Sequence, residues 1–175
     1  MSSPCQELLV FVLALSLAGC AEAPARPEPM AIGEARKFEL IELKAPTDLV
    51  EVVREEIARE LTKGGFQFLQ MTNALPDLQL RVAVDGWDYF ESRQAVPFRE
   101  RTASMNLTFD VIDPATGRVL HHRTYVGVDS ARDDVARTVP TETGLANVRR
   151  AAAQAAAKFV DDLLPPGKAA SDAPR

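Results

Sequence analysis

Hydrophobic and polar positions alternate strictly over two stretches of the chain. In LQLRVAV, Leu78, Leu80, Val82 and Val84 fall on one side; in SMNLTFDVI, Met105, Leu107, Phe109 and Val111 do the same. A period of two marks a strand with one covered and one wetter face, which suits an antiparallel sheet. KFELIEL (37–43) also has strand composition, but Phe38 and Leu40 alternate before Ile41 and Leu43 change phase, so a bulge is expected there. FQFLQM (66–71) and RVLHHRTYVGV (118–128) read as further strands. Between the last two strands lies DPATG (113–117), whose Pro and Gly suit a hairpin turn with a left-handed residue at Gly117.

Two segments have helical periodicity instead. In APTDLVEVVREEIARELTKGG, Leu49, Val52, Val53, Ile57 and Leu61 form one stripe, while Glu55, Glu56, Arg59 and Lys63 face away. Asp48 with Glu51 suits an N-terminal capping arrangement, and Gly64-Gly65 supplies the stop. In TGLANVRRAAAQAAAKFVDDLLPP, Leu145, Val148, Ala152, Ala155, Phe159 and Leu163 keep helical spacing, and Pro165 ends the run. Its Ala-rich middle allows close approach to a sheet. The expected architecture is α+β in two layers: a four- to five-stranded, mainly antiparallel sheet with two helices on one face, in the order β-α-β-β-β-β-α.

The front of the chain follows different rules. Leu8 to Ala18 is an apolar run that as a helix reaches only roughly 16 Å, about half of a ~30 Å hydrocarbon core. Small residues follow, as in a secretory signal peptide. Leu17-Ala18-Gly19-Cys20 resembles the lipobox of bacterial lipoproteins. That resemblance implies a diacylglyceryl group on the Cys20 thiol, cleavage before Cys20 and acylation of the new amino terminus. Ala21 rather than Asp after the cysteine implies the outer membrane, facing the periplasm, and acyl chains on Cys20 imply the membrane as a partner. Residues 20–36 then form a Pro- and Ala-rich tether, with Pro24, Pro27 and Pro29, that extends roughly 45 Å if polyproline-like. The division is thus 1–19 signal peptide, 20–36 lipidated cysteine and tether, 37–165 one domain, and 166–175 a flexible tail. Cys5 falls in the removed segment and Cys20 takes lipid, so no disulfide and no cysteine metal site are expected.

Charge narrows the functional classes. Lys plus Arg number 20 against 25 Asp plus Glu, a net charge of −5 with no basic stripe, which disfavours nucleic acid. His121 and His122 are adjacent in a strand, so they point to opposite faces and do not chelate one metal easily. Ser92, Ser104 and Ser130 sit in no Gly-x-Ser-x-Gly elbow, and no glycine loop resembles a phosphate cradle. The carboxylate pairs Asp133-Asp134 and Asp161-Asp162 suit solvated surfaces. No catalytic residue, metal or cofactor is assigned, and a non-enzyme is expected. The most suggestive stretch is DGWDYFESRQAVPFRERT (85–102), read as one long connection between strands. It gathers Trp87, Tyr89, Phe90, Arg93, Phe98, Arg99 and Arg101, residue types that favour protein interfaces. Trp87 and Tyr89 also fit a continued strand alternation into the core.

Three segments, GGFQFL, DLQLRVAVDG and LTFDVIDPATGRVLHHRTYVG, resemble those of small periplasmic lipoprotein domains over roughly residues 38 to 165. That group includes the curli secretion lipoprotein CsgG, the N-terminal domain of TolB, the activator LpoB and domains of unknown function. The resemblance carries over a role for Cys20 only. It implies an accessory, scaffold or assembly factor that works through contacts with an envelope protein. The alternative is a periplasmic binding module for a lipid, lipopolysaccharide or glycan, with a pocket between the closing helix and the sheet.

Overall fold

The computed structural model describes residues 34–69, 74–93, 98–134 and 144–164, together with Ile32. Cys5, Cys20, most of the tether and the tail from Pro165 lie outside the described residues. The elements run β1 (Lys37–Lys44), α1 (Val50–Lys63), β2 (Gln67–Leu69), β3 (Leu78–Arg93), β4 (Phe98–Ile112), β5 (Val119–Asp134) and α2 (Gly144–Leu163). They make the expected order and a five-stranded sheet, β2-β1-β3-β4-β5. β1 pairs in parallel with β2 and β3, over short stretches. β3-β4 and β4-β5 are long antiparallel pairs, so antiparallel pairing predominates within a mixed sheet.

The alternation is realised residue by residue. Leu80, Val82, Met105, Leu107, Phe109 and Val111 are buried on the face that the helices cover. The register of β1 against β3 shifts between Leu40 and Glu42, which places the bulge at Ile41, where the hydrophobic phase changes. In the 113–117 turn Gly117 has φ 68° and donates its N–H to Asp113 O at 2.8 Å. The Asp113 carboxylate accepts from the Thr116 hydroxyl and the Ala115 N–H, and these bonds hold its pKa below the usual carboxylate value.

Aromatic packing joins the layers. Phe109 stacks on Phe159 of α2 with ring centroids 4.1 Å apart, and Tyr125 meets Phe159 edge-on at 5.8 Å. At the other edge of the sheet, Phe38 meets Phe66 edge-on at 5.2 Å. α2 comes close enough to touch β5 by its backbone: a Cβ on Gly127 would lie 1.8 Å from Ala151 O. The alanines of α2 and the glycine of β5 thus solve one steric problem together. No helix among the described residues is long and apolar enough to cross a membrane.

Three local expectations are corrected. Asp48 does not cap α1: the N-cap is Leu49, with no side-chain cap. The Leu49 N–H instead bonds Pro46 O at 2.9 Å, and the buried Leu49 side chain anchors the helix start to the core. The stop at Gly64-Gly65 forms as expected, with Gly65 at φ 82° and the Phe66 N–H reaching back to Leu61 O at 2.9 Å. Glu56, expected on the wet side of α1, is only 1% exposed. It faces α2 and pairs with Arg59 and with Arg149, whose Nη1 lies 3.6 Å away. Finally, 85–102 is not mainly a connection. β3 and β4 stay paired from Gly86↔Asn106 to Arg93↔Arg99, beyond a register shift between Val84 and Gly86.

Candidate functional site

That register shift decides where the aromatic residues point. Val84 pairs with Leu107 on the helix-covered side, and one extra residue before Gly86 puts Trp87 opposite Met105 and Tyr89 opposite Ala103. Both aromatics therefore share the covered face with the core, while Asp88 and Phe90 take the opposite side. β1 is shorter than β3, and its last pairing is Lys44↔Ala83. Past Ala83 no described strand adjoins β3 on that side, and the chain turns at Pro46 into α1.

A cleft of about 580 Å³ opens at this corner. Asp48 and Leu49 border it from the start of α1, Trp87, Asp88 and Tyr89 from β3, and Gly144, Leu145 and Val148 from the first turn of α2. Trp87 is 43% exposed and Leu145 47%, and both border the recess. Tyr89 is held more firmly. Its hydroxyl donates to Glu91 at 3.2 Å, and Gly144 lies flat on its ring, where a Cβ would sit 2.7 Å from Cζ. Neither the Asp48 nor the Asp88 side chain makes an ion pair or hydrogen bond within the described residues.

The other interface candidates separate from this corner. Phe90, 61% exposed, stands on the opposite face of the sheet beside Thr102. Arg101 is 2% exposed on the covered face, in register with Glu91 and Ala131. Arg93 pairs in register with Arg99, and Phe98 with Asp134, at the far end of the β3-β4 ribbon. Their backbones are in strands; their side chains lie outside the described residues.

The two histidines diverge as their adjacency requires. His122 turns to the uncovered face, where its Nδ1 lies 2.5 Å from Asp110 Oδ1. His121 turns inward, with Nε2 2.9 Å from the Tyr125 hydroxyl oxygen. Tyr125 donates its proton to Asp162 at 2.9 Å, and Arg123 Nη1 reaches the same carboxylate oxygen at 2.6 Å. A phenol has one proton, so His121 is the donor to Tyr125 and carries its hydrogen on Nε2. Burial lowers the His121 pKa, against the pull of Asp162, and burial also raises that of Tyr125. Among the described residues no three His, Cys, Asp or Glu side chains are grouped to hold a metal ion.

Sequence reasoning missed one polar junction. Asn147, fully buried, donates to Asp129 at 2.8 Å, and Arg150 Nε meets the same carboxylate oxygen at 2.9 Å. This locks the start of α2 to β5 and so fixes the wall of the cleft. The signal was present: an Asn four residues before Ala151, inside the apolar stripe of a helix.

No family model matches the sequence, and no curated protein matches it. Several solved structures resemble it in part. A Caulobacter crescentus chain assigned as a lipoprotein superposes with a TM-score of 0.49 at 18% identity, over 72% of this chain and 86% of that one. A minor lipoprotein from Acinetobacter baumannii gives 0.47 at 20% identity, over 74% and 90%. The rare lipoprotein B of Shewanella oneidensis gives 0.39 at 15% identity, over 73% and 93%. Bacterial lipoproteins are thus among the solved structures that this chain resembles.

Proposed function

We propose that this protein is a lipid-anchored envelope lipoprotein, fixed through Cys20 to the outer membrane on its periplasmic side. In this reading it acts as a non-enzymatic accessory factor that holds a protein partner at the corner between β3 and the two helix starts. One observation carries the reading: the exposed Trp87, set in a recess at the corner between β3 and the two helix starts. An exposed aromatic ring bordering a recess suits recognition, where a rigid ring buries area at low entropic cost.

The test is site-specific photo-crosslinking in intact cells. A crosslinking residue in place of Leu145, on the cleft rim, is expected to give a discrete adduct with one protein. The same residue in place of Val126, on the opposite face of the sheet, is expected to give none. Trp87→Ala should remove the adduct and leave the melting temperature within about 2 °C, since the side chain is half exposed. Equal adducts from both positions, or none from 145, would contradict the reading. A co-purifying lipid or glycan bound at the cleft would favour a ligand-binding module instead.

A further inference from the structure

The end of the body that the tether joins carries apolar surface of its own. β1, β3 and β5 begin there and β4 ends there, so Lys37, Asp77 and the 113–117 turn share it. Leu75, two residues before Asp77, is 85% exposed, and Val119 and Leu120 stand exposed just after the turn. The register accounts for the second pair. Val111 pairs with His121 and Ile112 with Val119, so Leu120 is the extra residue of a bulge, with no partner across the strands. Charge at this end is balanced: Arg36, Lys37 and Arg118 offset Asp77, Asp113 and Asp161, in a chain of net −5. Lys63 in the last turn of α1 offsets the negative end of that helix.

We propose that this end rests on the bilayer that holds the Cys20 lipid, with Leu75, Val119 and Leu120 entering the boundary between headgroups and acyl chains. The inference rests on the anchor in the reading above. Thirteen residues separate Cys20 from Glu34, so the start of β1 stays within at most about 50 Å of the membrane. Attachment makes the encounter intramolecular, so a patch too small to bind a free bilayer can bind one to which it is fastened. Surfaces that lie in the interface bury apolar side chains and leave their cations among the headgroups. Arg36, Lys37 and Arg118, whose side chains make no ion pair among the described residues, supply such cations. The corner at Trp87 and Leu145 suits the bilayer less. It lies roughly 30 Å farther along β3, and the unpaired Asp48 and Asp88 side chains there are repelled by anionic headgroups.

The test uses the full chain, purified from bacterial membranes and placed in vesicles of phosphatidylethanolamine and phosphatidylglycerol brominated on their acyl chains. Bromine quenches an indole only near contact. Trp87, the only tryptophan, is expected to keep its emission. With the indole moved by Trp87→Phe and Leu120→Trp, most of the emission is expected to be lost in brominated vesicles and none in unbrominated ones. Adding Leu75→Asp and Val119→Asp, both at exposed positions, should restore the emission and leave the melting temperature within about 2 °C. The inference is overturned if the reporter at position 120 keeps its emission, if Trp87 is quenched as strongly, or if the two aspartates change nothing. Emission that shifts instead with protein concentration in detergent overturns it too, and marks the patch as a contact between copies. The mass of the same preparation separates docking from anchoring. A lipidated Cys20 with an unquenched reporter sinks the docking alone, whereas a free thiol removes anchor and docking together.

Discussion

Gly127 is the residue on which the contact between the two layers depends. Any Cβ there meets the Ala151 carbonyl oxygen at 1.8 Å and the Ala155 nitrogen at 2.9 Å, so α2 must lift off the sheet. Gly127→Ala is expected to cost about 3 kcal/mol, read as a lower urea midpoint with an unchanged slope. Gly65 poses a different problem. Nothing lies within 4 Å of its Cβ position, but its φ is +82°, so Gly65→Ala should cost only about 1 kcal/mol, through backbone strain. His121 adds a pH dependence. Its folded pKa lies below the ordinary 6.5 because burial disfavours the charged ring. The unfolded chain therefore takes up the proton first as pH falls below 6.5, and stability drops from there down through the folded pKa. In His121→Gln that part of the acid sensitivity should vanish from the melting-temperature profile. The opposing charges are Asp162 and Asp110, and Arg123 and His122 reinforce the shift.

At the scale of elements, α2 does more than cover the core. β5 is an edge strand, yet its Val128 N–H donates to Gln154 Oε1 at 3.3 Å and its Val126 carbonyl accepts from Lys158 Nζ at 2.7 Å. The helix thus occupies the edge groups that would otherwise template another strand. Gln154→Ala with Lys158→Ala should cost about 1 kcal/mol per bond and raise self-association, seen as increased light scattering at constant concentration. Much of this architecture was legible in the chain. Alternation located β3 and β4, the phase change located the Ile41 bulge, and the alanines of α2 announced the close contact with β5. What escaped has physical causes. The bulge before Gly86 resets the strand phase within a charged, aromatic stretch, so 85–102 reads as a connection when it is paired ribbon. Glu56 reads as solvent-facing on an isolated helix, and only the packing of α2 buries it, with Arg59 and Arg149 as its ion-pair partners. The cleft is built by three segments distant in sequence, and of its residues only Trp87 and Tyr89 carried an advance signal.

At the scale of the whole molecule, the proposed role assigns different tasks to the two ends of β1. The chain enters the body at the start of β1, where Asp77 accepts the N–H groups of Arg36 at 2.8 Å and Lys37 at 2.9 Å. The cleft lies beyond the other end of β1, about 25 Å along the strand. Under the proposed role, anchoring belongs to the first end and partner contact to the second. The whole account depends on the anchor at Cys20. Mass spectrometry of the protein extracted from the membranes of a bacterium expressing the full chain tests it most directly. The predicted result is a mature chain that begins at Cys20 with a thioether-linked diacylglycerol. A free Cys20 thiol with residues 1–19 still attached would contradict it.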